Sequence, residues 1–579
     1  MKILLVAINA KYIHSNLGVY SLKTYAEQQF KEMSKQEGDP KPGAGGFPSW
    51  NTDTIEIGEY TINNQMERIL EDIFLRRPDV VGFSCYIWNI VYVMELVRDL
   101  HKVLPETQIW LGGPEVSYDA GKVLAGEPEV TGIMMGEGEE VFAAVAAAYM
   151  TGRANAGTWR GIPGAAYRDE DGRICENAIR PVMDMSRIPF SYQNLDEFDH
   201  RIIYYESSRG CPFSCSYCLS SIDKSVRFRD LKLVKEELAF FLKQGIPQVK
   251  FVDRTFNCKK SHAMAIWEFI EANDNGVTNF HFEISADLLG DEELALIGRL
   301  RPGLIQLEIG VQTTHLRTLR EIRRITDLDR LKQAVAVINR GNNVHQHLDL
   351  IVGLPYEDFE RFKQSFDDVY RMCPEQLQLG FLKVLKGSYM EEMVPEYGIK
   401  YHEQPPYEVL STRWIGYHEI LRLKAVEDMV EVYYNSRQFV RTVSRLEQEY
   451  ASPFAIYEEL ADYYREQGLT GLNHSRLARY EILHRWIAVR LAGRLDLYRD
   501  LLMEDLYLRE NIKSRPSFAP DQTPFKEMIR GLVPELRSLG NQVHVEVFRD
   551  GSVRLFDYRH RDPLTHNAKE ILLHKTKEK

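Results

Sequence analysis

The stretch Tyr205-Glu206-Ser207-Ser208-Arg209-Gly210-Cys211-Pro212-Phe213-Ser214-Cys215-Ser216-Tyr217-Cys218 holds three of the chain's seven cysteines. Chance would place such a C-x3-C-x2-C triplet in roughly one chain per thousand of this length and cysteine content. The spacing lets one loop wrap three thiolates around one face of an iron–sulfur cluster, as cysteine-rich loops do in ferredoxins. A cubane offers four irons, so three thiolates leave one iron open to a ligand, which points to chemistry rather than electron storage. The competing reading is a zinc knuckle. It wants a fourth Cys or His close by in paired spacing, and the next cysteine is Cys258. Cys211, Cys215 and Cys218 are therefore the metal-ligating and catalytic candidates.

At 579 residues the chain is long enough for three to four domains. Its 44% hydrophobic and 27% charged residues are those of a soluble globular protein. Lys and Arg number 72 against 84 Asp and Glu, a formal charge of −12. That balance gives no whole-protein attraction for nucleic acid or an anionic membrane. Seven cysteines are too few for a disulfide framework, and a cluster needs reduced thiols, so a cytoplasmic location is expected. The opening run Met1–Asn9 has one leading charge and no small-residue cleavage site, and reads as a strand rather than a signal peptide. No apolar run approaches the ~20 residues of a membrane span.

Residues 1–155 read as a doubly wound parallel sheet. Strand-like runs at Lys2–Ile8, Thr54–Ile57, Asp79–Ser84, Gln108–Leu111 and Gly132–Met135 alternate with helical patterns, the first from Gly18 to about Lys35. The Gly/Pro-rich stretch Gly38–Pro48 reads as a surface loop. Ligands in such sheets sit beyond the carboxyl ends of the strands. Small and polar residues gather there: Gly82-Phe83-Ser84-Cys85-Tyr86, Gly112-Gly113-Pro114-Glu115 and Gly136-Glu137-Gly138-Glu139. Glycine at those ends admits close approach of a flat ligand.

Residues 156–200 read as a linker with a hairpin turning at Asp169–Arg173, and Cys175 as a buried or incidental thiol. Residues 201–385 alternate strands with amphipathic helices. Strand-like runs fall at Ile202–Glu206, Val249–Val252, Phe280–Ile284, Leu304–Ile309, His347–Val352 and Gln376–Leu382, with helices such as Leu231–Gln244 and Leu328–Arg340 between them. Six units make a partial (β/α)6 barrel of TIM type, with its site at the strands' carboxyl ends. Asp253, Glu283, Gln312 and Asp349 lie at or within those strand ends. A carboxylate there is costly to bury without a partner. Residues 386–579 read as a mainly helical extension, with a β-hairpin turning at Asp550-Gly551.

The triplet, with Tyr217 just before its last cysteine, resembles the radical SAM superfamily. The resemblance implies a [4Fe–4S] cluster whose open iron chelates S-adenosyl-L-methionine and cleaves it to a 5′-deoxyadenosyl radical, with an electron donor such as flavodoxin or ferredoxin. It assigns Tyr217, Asp253, Glu283, Gln312, Arg324 and Asp349 to S-adenosylmethionine. Glu283 would face the ribose, while Gln312, Asp349 and Arg324 would face the methionyl end. The Gly353-Leu354-Pro355-Tyr356-Glu357 turn would back the adenine. Asp253 stands where the family's amino-group motif falls, though its Gly-Gly-Glu form is absent. Arg209 is read as a brace of the cluster loop, and Cys258 and Cys373 as core thiols or radical relays.

Residues 1–155 resemble the cobalamin-binding, Rossmann-like domain that precedes many radical SAM domains. On that likeness Ser84, Gly112, Gly113 and Glu137 would line the cobalamin slot. The cobalt-ligating Asp-x-His-x-x-Gly motif is absent, and His14, in the corresponding loop, is read chiefly as a surface or capping residue. The tail resembles an uncharacterised extension expected to close the barrel over a substrate pocket. The leading function is methylation of an unactivated carbon, or of phosphorus, in a small molecule. Radical rearrangement or cyclisation without methyl transfer, and a non-catalytic cobalamin or redox sensor, are the alternatives.

Overall fold

A computed structural model describes residues 1–37, 54–179, 181–222, 224–512, 514–533 and 539–574. The expected loop Gly38–Pro48 lies outside them. The chain divides into two compact units. The first comprises Met1–Ser285, Arg320–Ile325 and Leu382–Thr412, and the second Ala286–Leu319, Thr326–Phe381 and Arg413–Lys579.

In the first unit, β1 (Ile3–Asn9), β2 (Ile55–Thr61), β3 (Val80–Ser84), β4 (Gln108–Gly112), β5 (Gly132–Met134), β6 (Ala165–Arg168) and β7 (Ile174–Glu176) form one sheet, ordered β2-β1-β3-β4-β5-β6-β7. The first five strands are parallel. Every residue of β1 is buried, because helices cover both faces and an unbroken apolar run is then favoured over alternation. Helices Met66–Arg76 and Ile90–Val103 pack against the sheet through Ile69, Ile73, Val93, Leu96, Val97 and Leu100. The hairpin expected in the linker is present, but it is not a free bridge. Its strands β6 and β7 add antiparallel to β5 and extend the sheet to seven. The predicted turn closes with Asp169 and Arg173 hydrogen-bonded and Gly172 at φ +76°.

The same unit carries β8 (Ile203–Tyr205), a short antiparallel pair β9 (Ser208–Arg209) and β10 (Arg227–Phe228), then β11 (Gln248–Phe251) and β12 (Asn279–Ile284). Strand β11 lies parallel between β8 and β12. The helix read over Leu231–Gln244 has those bounds, with the Asp230 carboxylate accepting from Lys232 N–H at its start and Gly245 at φ +65° ending it.

In the second unit, β13 (Ile305–Gln312), β14 (His345–Val352) and β15 (Gln376–Phe381) are parallel, with β14 central. Helices Leu328–Gly341 and Phe359–Tyr370 start at Asp327 and Asp358, whose carboxylates accept from N–H groups of the first turn. Six strands are thus present across the region read as a partial barrel, with helices following the first five. The remainder is helical, ending in an antiparallel sheet of β16 (Val543–Val547), β17 (Val553–Arg561) and β18 (Ala568–His574). The hairpin was legible; β18, half-exposed and interrupted by polar residues, was not. Helix Pro453–Glu466 packs on the outer helix Phe359–Tyr370, with Phe454 against Phe366 and Tyr457 against Tyr370. That part of the tail is therefore joined to the back of a barrel helix rather than to the strand ends. Among the described residues, no helix is long and apolar enough to cross a membrane.

Candidate functional site

The cysteine loop begins where β8 ends. Cys211 and Cys215 are buried and Cys218 is half-buried. The loop is pinned by its own backbone. Cys218 N–H donates to the Cys215 carbonyl at 3.1 Å, and the Ser221 hydroxyl donates to the carbonyls of Cys215 and Cys218 at 2.9 and 2.6 Å. Two later segments of the same unit hold Ser216. Its N–H donates to the Ile322 carbonyl at 2.9 Å, and its carbonyl accepts from Met390 N–H at 2.8 Å. Arg324 reaches the Cys215 sulfur at 3.8 Å. Burial pushes the Cys215 thiol up, and the Arg324 guanidinium opposes that. Three sulfur donors on one pinned loop with a cation beside them suit a thiolate-held cluster. Burial also raises the Tyr217 phenol, whose hydroxyl pairs with Cys215.

Arg209 ties this loop to the N-terminal sheet domain. Its guanidinium donates to both Glu139 oxygens at 2.8 and 3.2 Å and to both Glu206 oxygens at 2.8 and 3.0 Å. Glu139 lies in the first turn of helix Gly138–Met150 and also accepts from the Ser21 hydroxyl. Arg229 is equally saturated, donating to both Glu237 oxygens and to the carbonyls of Met185 and Ile188. Neither network was visible in the sequence, since its members lie up to 118 positions apart.

Asp253 is wholly buried and already spent on this chain's own donors. It accepts from Ser207 N–H at 3.0 Å and from the Ser207 and Ser208 hydroxyls at 2.7 and 2.5 Å. Burial raises its pKa to about 6. These bonds brace the root of the cluster loop. Glu283, the penultimate residue of β12, is half-buried, 3.9 Å from Arg254. In the second unit, Gln312 ends β13 at φ +69°, a left-handed conformation costly for a residue with a side chain and stored mainly where a site requires it. Asp349 faces His347, whose Nε2 lies 3.1 Å from its Oδ1. Cys258 is half-buried near Cys211, with its thiol raised to about 11 by burial and then by that neighbour. Cys373 is exposed and so is not a core thiol, while Cys175 is half-buried on β7.

The Glu of the expected adenine-backing turn points into the second unit's interior. Glu357 is 1% exposed and accepts from the hydroxyls of Thr313 and Ser365, both at 2.7 Å. Burial raises its pKa to about 7. The native chain therefore keeps a proton that the unfolded chain loses between about pH 4.5 and 7. The stability this group contributes is full below that window and is lost as pH rises through it. Glu357→Gln is expected to flatten the decline by roughly 3 kcal/mol, read as urea midpoints at pH 5 and pH 8. Equal pH slopes in variant and parent would contradict the assignment.

A cavity of about 670 Å3 opens at the carboxyl end of β1 and lies wholly in the first unit. Asn9, His14, Asn16, Tyr86, Trp88 and Glu137 line its sheet-domain side, and Tyr204, Arg209, Gly210 and Ser220 its cluster-loop side. The size lies within the range of small-molecule and cofactor pockets. Tyr86 and Trp88 stack with 5° between their planes. Flat aromatic walls with a few polar groups suit a large planar cofactor. His14 lines this cavity and pairs through Nδ1 with the Tyr204 hydroxyl at 2.6 Å.

Of the four residues expected at the cobalamin slot, only Glu137 lines the cavity. Ser84 stands one hydrogen bond behind it, accepting from Asn16 at 3.2 Å. Gly112 and Gly113 lie away from it. Gly113, at φ +114°, is required by the chain's own packing, because a Cβ there would come within 2.5 Å of the Cys85 carbonyl oxygen. The close approach seen at this glycine is to the Cys85 backbone. Gly113→Ala is expected to lower stability by at least about 2 kcal/mol, measured as a urea-midpoint shift. A midpoint within error of the parent would contradict that packing.

The first part of the tail, Leu382–Thr412, packs within the first unit on the cysteine loop and the sheet domain. Besides the Met390 bond, Tyr397 donates to Glu321 at 2.5 Å, Arg323 stacks on Tyr389, and the Tyr407 hydroxyl donates to buried Glu115 at 2.7 Å.

Three family models match the chain. Residues 3–146 match the B12 binding domain, residues 205–369 the Radical SAM superfamily, and residues 395–571 a protein of unknown function, DUF4080. An anaerobic magnesium-protoporphyrin IX monomethyl ester cyclase of Rubrivivax gelatinosus is 28% identical over 336 residues, 56% of this chain and 59% of that protein. The match thus spans less than two thirds of that relative's length. The cobalamin-dependent radical SAM methyltransferase TokK of Streptomyces tokunonensis is 21% identical over 494 residues, 77% of this chain and 68% of that protein. Among solved structures, the cobalamin-dependent S-adenosylmethionine radical enzyme OxsB superposes with a TM-score of 0.59 at 14% identity, covering 87% of this chain and 83% of that one. Its likeness carries the fold. One polypeptide thus carries a B12 binding domain, a radical SAM domain and a DUF4080 region, and its relatives include cobalamin-dependent radical SAM methyltransferases.

Proposed function

We propose that this chain methylates an unactivated carbon, or a phosphorus, of a small-molecule substrate, using a [4Fe–4S] cluster, S-adenosyl-L-methionine and cobalamin. One observation carries the reading: the cavity at the end of β1 has the sheet domain on one side and the residues flanking Cys211–Cys218 on the other. When bound, these cofactors supply one-electron cleavage of a sulfonium and a transferable methyl group. Cys211, Cys215 and Cys218 hold the cluster, while Arg324, beside Cys215, favours the thiolate. Glu283 is assigned to S-adenosylmethionine, with Tyr217 packed behind the loop. Asn16, Glu137 and the Tyr86–Trp88 pair are assigned to cobalamin, Ser84 supporting Asn16 from behind. Leu382–Thr412 excludes water from the cluster loop. Three reduced cysteines call for a reducing compartment and a small electron-transfer partner of flavodoxin or ferredoxin type.

The cyclase relative favours a second reading, radical cyclisation without methyl transfer. Anaerobic reconstitution of the full chain separates them. Methylation predicts about one cobalamin retained per chain and a product heavier by about 14 Da, one CH2. An unchanged carbon count in the product would select cyclisation. A reconstituted chain that retains no cobalamin would overturn both.

A further inference from the structure

We propose that Glu308, His347 and Asp349 form a divalent-cation site on the polar face of β13 and β14. The three donor groups come from two adjacent strands of the second unit. Glu308 pairs directly with His347 in the parallel register, and Asp349 follows two positions on, so its side chain leaves the same face as that of His347. The donor atoms lie within 4.8 Å of one another, and His347 Nε2 is already 3.1 Å from the Asp349 carboxylate.

The sequence prepares that face. Along β13 the buried Ile305, Leu307, Ile309 and Val311 alternate with the half-buried Gln306, Glu308, Gly310 and Gln312. The inward face of a filled barrel would carry branched apolar residues instead. Metal–ligand distances near 2.1 Å put neighbouring donors about 3.0 Å apart in an octahedron and about 3.4 Å apart in a tetrahedron. Side-chain rotation alone closes the remaining gap, because the strands fix the three Cα positions. One imidazole and two carboxylates suit Mn2+, Fe2+ or Zn2+, and leave coordination positions for water or for an oxygen donor of a substrate. This assignment takes Asp349 away from the methionyl end of S-adenosylmethionine, and it does not depend on the proposed methylation.

Titration with Mn2+, followed by loss of the free-ion electron paramagnetic resonance signal, tests it on the full chain with its cluster verified by absorbance. A Cys211→Ala/Cys215→Ala/Cys218→Ala variant serves in parallel, so that failure of the cluster assignment is seen separately. One Mn2+ per chain is expected in both, displaced by Zn2+. Glu308→Gln and His347→Gln should each weaken it at least tenfold, while Glu360→Gln, on a solvent-facing helix position, should leave it unchanged. Circular dichroism reports whether each variant folds, and the isosteric Glu308→Gln carries the test if His347→Gln does not. Absence of stoichiometric binding, or binding untouched by Glu308→Gln, overturns the site. So does an Asp349→Asn variant that keeps Mn2+ but loses S-adenosylmethionine, since Asp349 would then belong to the methionyl end.

Discussion

Cys215→Ala is expected to abolish 5′-deoxyadenosine formation, by at least about a thousandfold, with loss of the cluster's visible absorbance. Residues that act as one unit fail together, so removing one of three thiolates costs nearly as much as removing all of them. Cys215 is the most constrained of the three. It is buried, its sulfur is met by Arg324, and its carbonyl accepts from Cys218 and Ser221. The loop therefore has no slack with which to recruit another ligand. Cys258 interacts with Cys211, but burial holds it protonated with a pKa of about 11. Cys258→Ala and the exposed Cys373→Ala are accordingly expected to keep the absorbance and the product. Chromatographic measurement of 5′-deoxyadenosine after anaerobic reconstitution checks all three variants. A Cys215→Ala protein with more than a tenth of the parent's yield would remove the triplet from the chemistry.

Arg229→Met is expected to cost about 3–5 kcal/mol of stability, because it strands the Glu237 carboxylate in the interior. Both side chains are under 10% exposed. Glu237 receives the guanidinium at 2.5–3.2 Å and the Tyr205 hydroxyl at 2.6 Å, while Arg229 N–H donates to the Ser207 carbonyl at 2.9 Å. The pair thus clamps the end of β8 to the residues that lead into the cysteine loop. The double variant Arg229→Met/Glu237→Leu should recover most of the loss, since replacing both charges removes the uncompensated one. Tyr205 would still lose its acceptor, a residual of about 1 kcal/mol. Urea midpoints of parent, single and double variants decide it. A single variant as stable as the parent, or a double variant no better than the single, would show that the clamp is not what holds the loop root.

The fold was largely legible because its signals are local. Alternating apolar runs, the carboxylate caps at Asp230, Asp327 and Asp358, and the Asp-Gly hairpin each act within a few residues. The observed elements accordingly fall close to the expected ones. The ends were less legible. β13 runs on to the left-handed Gln312, and β18 shows no apolar alternation. The β6–β7 hairpin could be read from its turn, but its docking on β5 depends on a strand thirty positions earlier.

The candidate site divides along the same line. The sequence by itself determined the candidate cluster ligands, because three thiolates on one short loop need only spacing to converge on a common centre. Tertiary structure decided the polar residues, since a carboxylate's role depends on which donors the fold brings to it. Asp253 looks like a ligand contact in sequence, yet backbone and hydroxyl donors about 45 positions away meet it in the fold. Gly113 looks like room for a cofactor, and the Cys85 carbonyl fills it. Arg209 joins the sheet domain to the cysteine loop through Glu139, 70 positions distant. Charge and hydrogen-bond satisfaction are non-local, and only the packed chain settles which groups are left to meet a ligand.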